Sequence, residues 1–396
     1  MTQPILAGVR VLDFGRYIAA PFCAALLADL GAEVIRVEPS AGGDDRFVMP
    51  VTKADEGALF LQNNRNKQSL TLNLDRPGAD EVIRRLVAHS DVVVANLVPA
   101  LMTRMGLDYD KLKAIRPDII LTTITAYDAA GPQKNSPGFD GTGQATSGSM
   151  YLTGYEGQPL RCAVSYVDYS TGLSAAYGTM AALLWKAQSG QGQHVQASLM
   201  QTALTMTNPM LIEEASGART RQPSGNRSPI SGPNDLFPTA DNDWVLVQVA
   251  GQEMFARWCA MVGRPELVDD PRYDSDLSRG ENGATLSAIM SDWTRARTTL
   301  EALDALRAAR VPACTVLTPA QALADLKARP NPMFEWQTHK DLDAAIPVAG
   351  TPVRFSESPV QPASPAPELG QHTDLVLRSA GFSETEIEQL RNTGAV

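Results

Sequence analysis

No CxxC pair occurs among the four cysteines of this 396-residue chain, Cys23, Cys162, Cys259 and Cys314. Scattered cysteines in so long a chain read as reduced core residues in a reducing compartment, not as a disulfide framework. The opening, MTQPILAGVRVLDFG, lacks a basic region followed by an apolar stretch, so no secretory signal is expected. The most apolar stretch, Ala175–Trp185, is too short to cross a bilayer. A soluble, cytoplasmic protein is the expectation.

Positive charge is also scarce. The net charge is −10 and no Lys/Arg run exists, which argues against a nucleic-acid or anionic-membrane surface. An anionic ligand would need a local cluster of basic groups. The familiar catalytic signatures are missing as well. The first strand–helix turn, FGRYIAAP, has no G-x-G-x-x-G, although Glu38 ends the second strand where a dinucleotide fold would place its ribose acid. There is no P-loop, no H-E-x-x-H and no G-x-S-x-G elbow. His89, His194, His339 and His372 lack metal-ligand spacing, so no metal is expected.

What is present is an alternation of strand and helix. Val9–Phe14 is a short buried run, followed by a helical apolar pattern through Cys23, Leu26, Leu27 and Leu30, with Gly31 where a helix end wants a left-handed residue. Strands are predicted at Glu33–Glu38, Asp91–Ala95 and Asp118–Ile124, and helices near Gly78–Ser90 and Asp108–Ile115. Such βαβ units imply a parallel sheet covered on both faces, hence an α/β fold.

A long helix follows, Thr171 to Gln188, with Leu173, Tyr177, Met180 and Leu184 on one face and Gly/Ala positions elsewhere suited to close packing. HVQASL then reads as a strand, with a helix from Met200 onward. Residues 217–235 are polar and turn-rich, a linker or loop. A smaller α/β unit at 236–320 carries a strand at Trp244–Ala250 and helices near 252–263 and 295–310. After a Pro/Ser-rich connector, the last helix opens with the capping box Ser383-x-x-Glu386.

Asp168, placed just ahead of the long helix, has two readings. A carboxylate there commonly caps free backbone N–H groups. The same setting keeps it ionised, near the ordinary value of about 3.9, as an anionic nucleophile that needs no adjacent base.

The block GVRVLDFGRYIAAPFCAALLADLGAEVIRVEPSAGGDDR resembles the family III coenzyme A transferases, the group that includes formyl-CoA transferase, carnitine CoA transferase and α-methylacyl-CoA racemase. The likeness continues through NRNKQSLTLNL, DVVVANLVPALMTRMGLDYDKLKAIRPDIILTTITAY, GFDGTGQATSG, DYSTGLSAAYGTMAALL, GQGQHVQASL and LGQHTDLVL, in that order along nearly the whole chain. The resemblance implies a Rossmann-like large domain with a mainly parallel sheet, a smaller domain inserted in it, and two ring-like chains interlocked in a homodimer. On that basis residues 1–216 form the first part of the large domain, 217–235 a linker, 236–320 the small domain and 321–396 the return to the large one.

By position, the resemblance implies Asp168 as the catalytic nucleophile, and acyl-CoA and a small carboxylic acid as substrates with no permanently bound cofactor. It implies CoA contacts at Ile18, Ala19, Leu72, Asn73, Leu74, Asp75, Asn96, Leu97, Val98, Arg104, Pro137, Gly138, Phe139 and Asp140. Arg104 has the clearest role, since a guanidinium pairs with phosphate in a charge-assisted fork. Arg16, Arg65, Lys67 and Arg76 are further candidates for a local positive field. The loop Ser224–Pro233 is a candidate source of oxyanion donors, and Arg227 a candidate partner for a dicarboxylate.

The sequence also departs from its relatives. Formyl-CoA transferase has glutamine where Ile18 stands, arginine where Pro39 stands and a glycine run where this chain reads SPISG, so formate/oxalate specificity is not implied. The racemase branch has histidine where Phe139 stands. An α-epimerase needs two titratable groups flanking the α-carbon, and phenylalanine supplies none. CoA transfer is therefore the expected activity. The alternatives are a racemase using another base, such as His194 or a tyrosine, and a CoA-binding protein without turnover.

Overall fold

The computed structural model describes residues 3–396, which fall into two units. The first comprises residues up to Ser147, Ala163–Met206 and Asn331–Val396; the second comprises Gly148–Cys162 and Thr207–Pro330.

Six short strands form the sheet of the first unit: β1 (Arg10–Asp13), β2 (Glu33–Glu38), β3 (Lys67–Thr71), β4 (Val92–Ala95), β5 (Ile120–Thr125) and β6 (His194–Ser198). Their order is β3-β2-β1-β4-β5-β6 and every pairing is parallel. Successive strand residues point to opposite faces, and both faces are buried. Leu12, Ile35, Leu70, Val93 and Leu121 join one core cluster, whereas Val11, Val34, Val92, Val94 and Ile120 join another. The first cluster lies under the helix Ala79–Ala88, where Val82, Ile83, Leu86 and Val87 form an apolar stripe, and under the C-terminal helices through Val376, Leu377, Ile387 and Leu390.

The helices Ala19–Asp29 and Tyr166–Ser189 cover the second cluster. They approach closely because the contact face of the longer one is made of small residues. A Cβ at Gly172 would stand 2.8 Å from the Ala19 carbonyl oxygen. The sequence pattern put the large residues of this helix on a repeating stripe. The structure turns most of that stripe outward: Thr171, Ala175, Thr179 and Ala182 are buried, whereas Leu173, Tyr177 and Leu184 are exposed, and of the stripe only Met180 packs, half-buried, against the core. The helix also begins five residues ahead of the predicted Thr171, which places Asp168 in its first turn.

The second unit has an antiparallel sheet of β7 (Asn234–Pro238), β8 (Trp244–Gln248) and β9 (Ala313–Thr315), packed on Phe255, Trp258, Leu286 and Met290. Among the described residues no helix is long and apolar enough to cross a membrane.

Candidate active site

Loops at the carboxyl ends of the first unit's strands enclose a cleft of about 510 Å³. Its lining comprises Arg16–Ala19 after β1, Pro39, Gly42 and Asp44 after β2, Asn96–Pro99 and Leu101 after β4, Ile124–Ala126 at the end of β5, the loop Lys134–Phe139, Leu199 after β6, and Asp168. Topology dictates this position. The chain leaves β1 and β4, neighbours in the sheet, toward different sides, so their loops part and leave a crevice.

Asp168 reaches the cleft from the first turn of the helix Tyr166–Ser189. The capping role weighed for it belongs instead to Asp140. The buried Asp140 carboxylate accepts the backbone N–H groups of Val167 at 2.8 Å and Asp168 at 3.2 Å, and Gln144 donates to its other oxygen at 2.5 Å. No described residue hydrogen-bonds the Asp168 carboxylate. Burial, and next the negative charge of Asp140, push its pKa up to about 7. The expectation that the helix terminus keeps Asp168 at the ordinary carboxylate value is thereby corrected, because the helix donors are already occupied by a second acid.

The candidate cations separate into two groups. Arg65 and Lys67 are fully buried and committed elsewhere. The Arg65 guanidinium donates to both oxygens of Asp29 at 3.1 and 2.6 Å, and the Lys67 ammonium to Asp13 at 2.7 Å, the Pro21 carbonyl at 2.8 Å and Asn64 at 2.9 Å. Burial pushes Lys67 down to about 8 despite its pairing with Asp13. Arg76 is exposed and outside the cleft lining. Arg16 lines the cleft with no ion-pair partner among the described residues, and Lys134 lines it from the loop after β5. Arg104, at the end of the helix Pro99–Arg104, is exposed, paired with Asp75, and outside the lining.

Of the other positions implied by resemblance, Ile18, Ala19, Asn96, Leu97, Val98, Pro137, Gly138 and Phe139 converge on the cleft. Leu72–Asp75 do not: Leu72 is core, Asn73 and Leu74 are half-buried and Asp75 is at the surface. Gly138 fits where a Cβ would stand 2.8 Å from that of Ala126. Tyr17, Asp44, Lys134 and Leu199 escaped the sequence reading. Their signal was positional, since Tyr17, Asp44 and Lys134 follow predicted parallel strands, and Leu199 ends the predicted strand HVQASL, at the end where such sheets bind ligands. The loop Ser224–Pro233, with Arg227, belongs to the second unit.

His194, the base considered for a racemase, opens β6 at the opposite end of the strand from Leu199, roughly 16 Å away at the ordinary rise per residue. Its ring bonds the Thr123 hydroxyl at 2.8 Å and stacks on Tyr109. Burial depresses its pKa.

The strand order and the placement of the cleft define a Rossmann-like α/β protein with a cleft at its topological switch point, where such sheets take their ligands. Residues 6–373 match the family model described as CoA-transferase family III, and the chain belongs to that family, as an acyl-CoA:carboxylate CoA-transferase. It is 33% identical over 393 residues to the succinyl-CoA–L-malate CoA-transferase beta subunit of Chloroflexus aurantiacus, covering 98% of this chain and 97% of that one. It is 32% identical over 394 residues to the succinyl-CoA:glutarate CoA-transferase of Homo sapiens, covering 99% and 90%. A CaiB/BaiF family protein from Brucella suis superposes with a TM-score of 0.82 at 29% identity, covering 96% of this chain and 100% of that one.

Proposed function

We propose that this transferase moves CoA between dicarboxylic acids through covalent intermediates on Asp168. The observation that carries the reading is a half-buried carboxylate in the cleft whose oxygens are taken by no neighbour. In its ionised form Asp168 attacks the thioester carbonyl of the donor, and the C–S bond breaks to give a mixed anhydride and CoA thiolate. The thiolate attacks the aspartyl carbonyl, which expels the donor acid and leaves an aspartyl-CoA thioester. The acceptor carboxylate attacks that carbonyl, releasing thiolate. The thiolate then attacks the acceptor's acyl carbonyl, and the Asp168 carboxylate departs. Each step trades one activated acyl bond for another, so no external energy source is needed.

The names of both curated relatives specify succinyl-CoA and a dicarboxylic acid, which supports that substrate class here. Arg16 and Lys134 supply the local positive charge that a net charge of −10 withholds. Arg104, already bonded to a surface carboxylate, is suited to exchange Asp75 for a CoA phosphate. We further propose the interlocked homodimer, supported by the exposed apolar stripe of the helix Tyr166–Ser189.

One reaction in heavy water tests the chemistry. The enzyme is given a panel of acyl-CoAs with isotopically labelled free acids, and the thioesters are read by mass spectrometry. Labelled dicarboxylate should appear as new thioester, and Asp168→Ala should abolish it. Exchange that survives Asp168→Ala would sink the aspartyl mechanism. Deuterium at the α-carbon without acid exchange would mark a racemase.

A further inference from the structure

Tyr17 is one of few non-glycine residues with a left-handed backbone, φ 62°, and it lies at the cleft. Such a conformation is strained, and it persists only where the surroundings impose it. What imposes it is visible one residue earlier. The side-chain amide of Asn96 accepts the Arg16 N–H at 2.7 Å and donates to the Arg16 carbonyl at 2.8 Å. This reciprocal pair imitates a strand partner and clamps the turn after β1 to the end of β4.

The clamp aims the Tyr17 ring at Phe139. The two rings meet edge to face, with centroids 5.8 Å apart. One comes from the loop after β1 and the other from the segment after β5, so the contact bridges the end of β4, which lies between those strands. Phe139 also directly precedes Asp140, whose carboxylate holds the Asp168 N–H. The bridge and Asp168 line the same cleft. Phe139 is nonetheless 63% exposed, a placement that neither core packing nor a phosphate contact accounts for.

We propose that Tyr17 and Phe139 form an aromatic clasp over the crevice that keeps water from the activated acyl carbonyl, and that Asn96 is the positioning residue that holds it. The proposal rests on the aspartyl-anhydride reading. In the reaction it suppresses, water adds to the acyl carbonyl of the anhydride and the bond to the Asp168 oxygen breaks. Free acid leaves, the carboxylate is restored and the thiolate takes a proton. The sum is acyl-CoA plus water giving acid plus CoA thiol.

The test measures, in one assay with succinyl-CoA and labelled glutarate, the ratio of free CoA thiol formed to labelled thioester formed. Phe139→Ala at its exposed position, and Asn96→Ala behind it, should each raise that ratio about tenfold. Tyr17→Phe, which keeps the ring, should hold the wild-type ratio, and Tyr17→Gly, which removes ring and strain together, should raise it. Melting curves establish that each variant is folded. An unchanged ratio in both folded Phe139→Ala and Asn96→Ala overturns the clasp. Asp168→Ala separates the two ideas: transfer and hydrolysis both lost in it, with the ratio flat in the clasp variants, removes the clasp and leaves the covalent mechanism standing. Transfer surviving in Asp168→Ala removes both.

Discussion

At the scale of single residues, the site turns on two acids with different duties. Asp140 spends its charge on helix N–H donors, whereas Asp168 faces the cleft beside that charge. Because the proposed attack on the thioester carbonyl needs the carboxylate form of Asp168, kcat/KM should rise with pH and level off above about 7. Initial rates across a pH series check this, and a profile flat from pH 5 to 8 would contradict it. The same shift has a stability consequence of opposite sign. A carboxyl whose folded value lies above its unfolded one binds its proton more tightly in the native state. Its contribution is therefore complete below the unfolded value of about 3.9 and is lost as pH rises toward 7. Asp168→Asn, permanently neutral, should melt above the wild type at pH 8, by on the order of 1 kcal/mol, with the gap closing toward pH 4. Arg104 carries a third prediction. As a phosphate partner at the surface it should affect binding more than chemistry, so Arg104→Ala should raise KM for acyl-CoA about tenfold with kcat nearly unchanged. Steady-state kinetics at fixed ionic strength decide it. These residue roles were unevenly legible. Asp168 stood in a matched block, but its environment depends on Asp140, 28 positions away. Nothing local told buried Arg65 and Lys67, paired across 36 and 54 residues, from cleft cations.

At the scale of elements, periodicity was a good guide where one side of an element faces a core and the other does not. The strand predicted at Glu33–Glu38 is β2, and the helix predicted near Gly78–Ser90 spans Ala79–Ala88. The capping box at Ser383 is formed as read, with the Ser383 N–H bonded to Glu386 at 2.7 Å. The helix Tyr166–Ser189 is the instructive failure. Large apolar side chains normally mark the core side, yet here the intimate contact is made by residues too small to register in a hydrophobic pattern. That contact also fixes the helix carrying Asp168, four residues ahead of Gly172 and so on the same side. Gly172→Val would drive a branched side chain into the Ala19 backbone and displace both helices. The expected loss is about 2–3 kcal/mol of stability together with a fall in kcat. Thermal melts and turnover on the same preparation test it. A variant that melts with the wild type would show that the helices are free to part.

At the scale of the whole molecule, the exposed stripe poses the question of what covers it. Tyr177 is 78% exposed and Leu184 61%, with Leu173 and Trp185 beside them. A single chain left to water would pay a solubility penalty for such a face. A second copy that buries it converts the same side chains into core. The resemblance implied a dimer, but composition could not locate its surface, because burial against a partner leaves the same sequence pattern as burial within a chain. The two states make different demands on substitution. Exposed positions of a monomer tolerate change within about 0.5 kcal/mol, whereas apolar side chains packed in an interface lose their burial when made acidic. The double substitution Tyr177→Glu with Leu184→Glu should therefore lower the melting temperature by several degrees. The wild type should sediment as a dimer even on dilution, since rings interlocked as proposed separate only if a chain opens. A wild type that sediments as a monomer, with a double variant that melts at the same temperature, would leave this face to solvent and remove the dimer from the account.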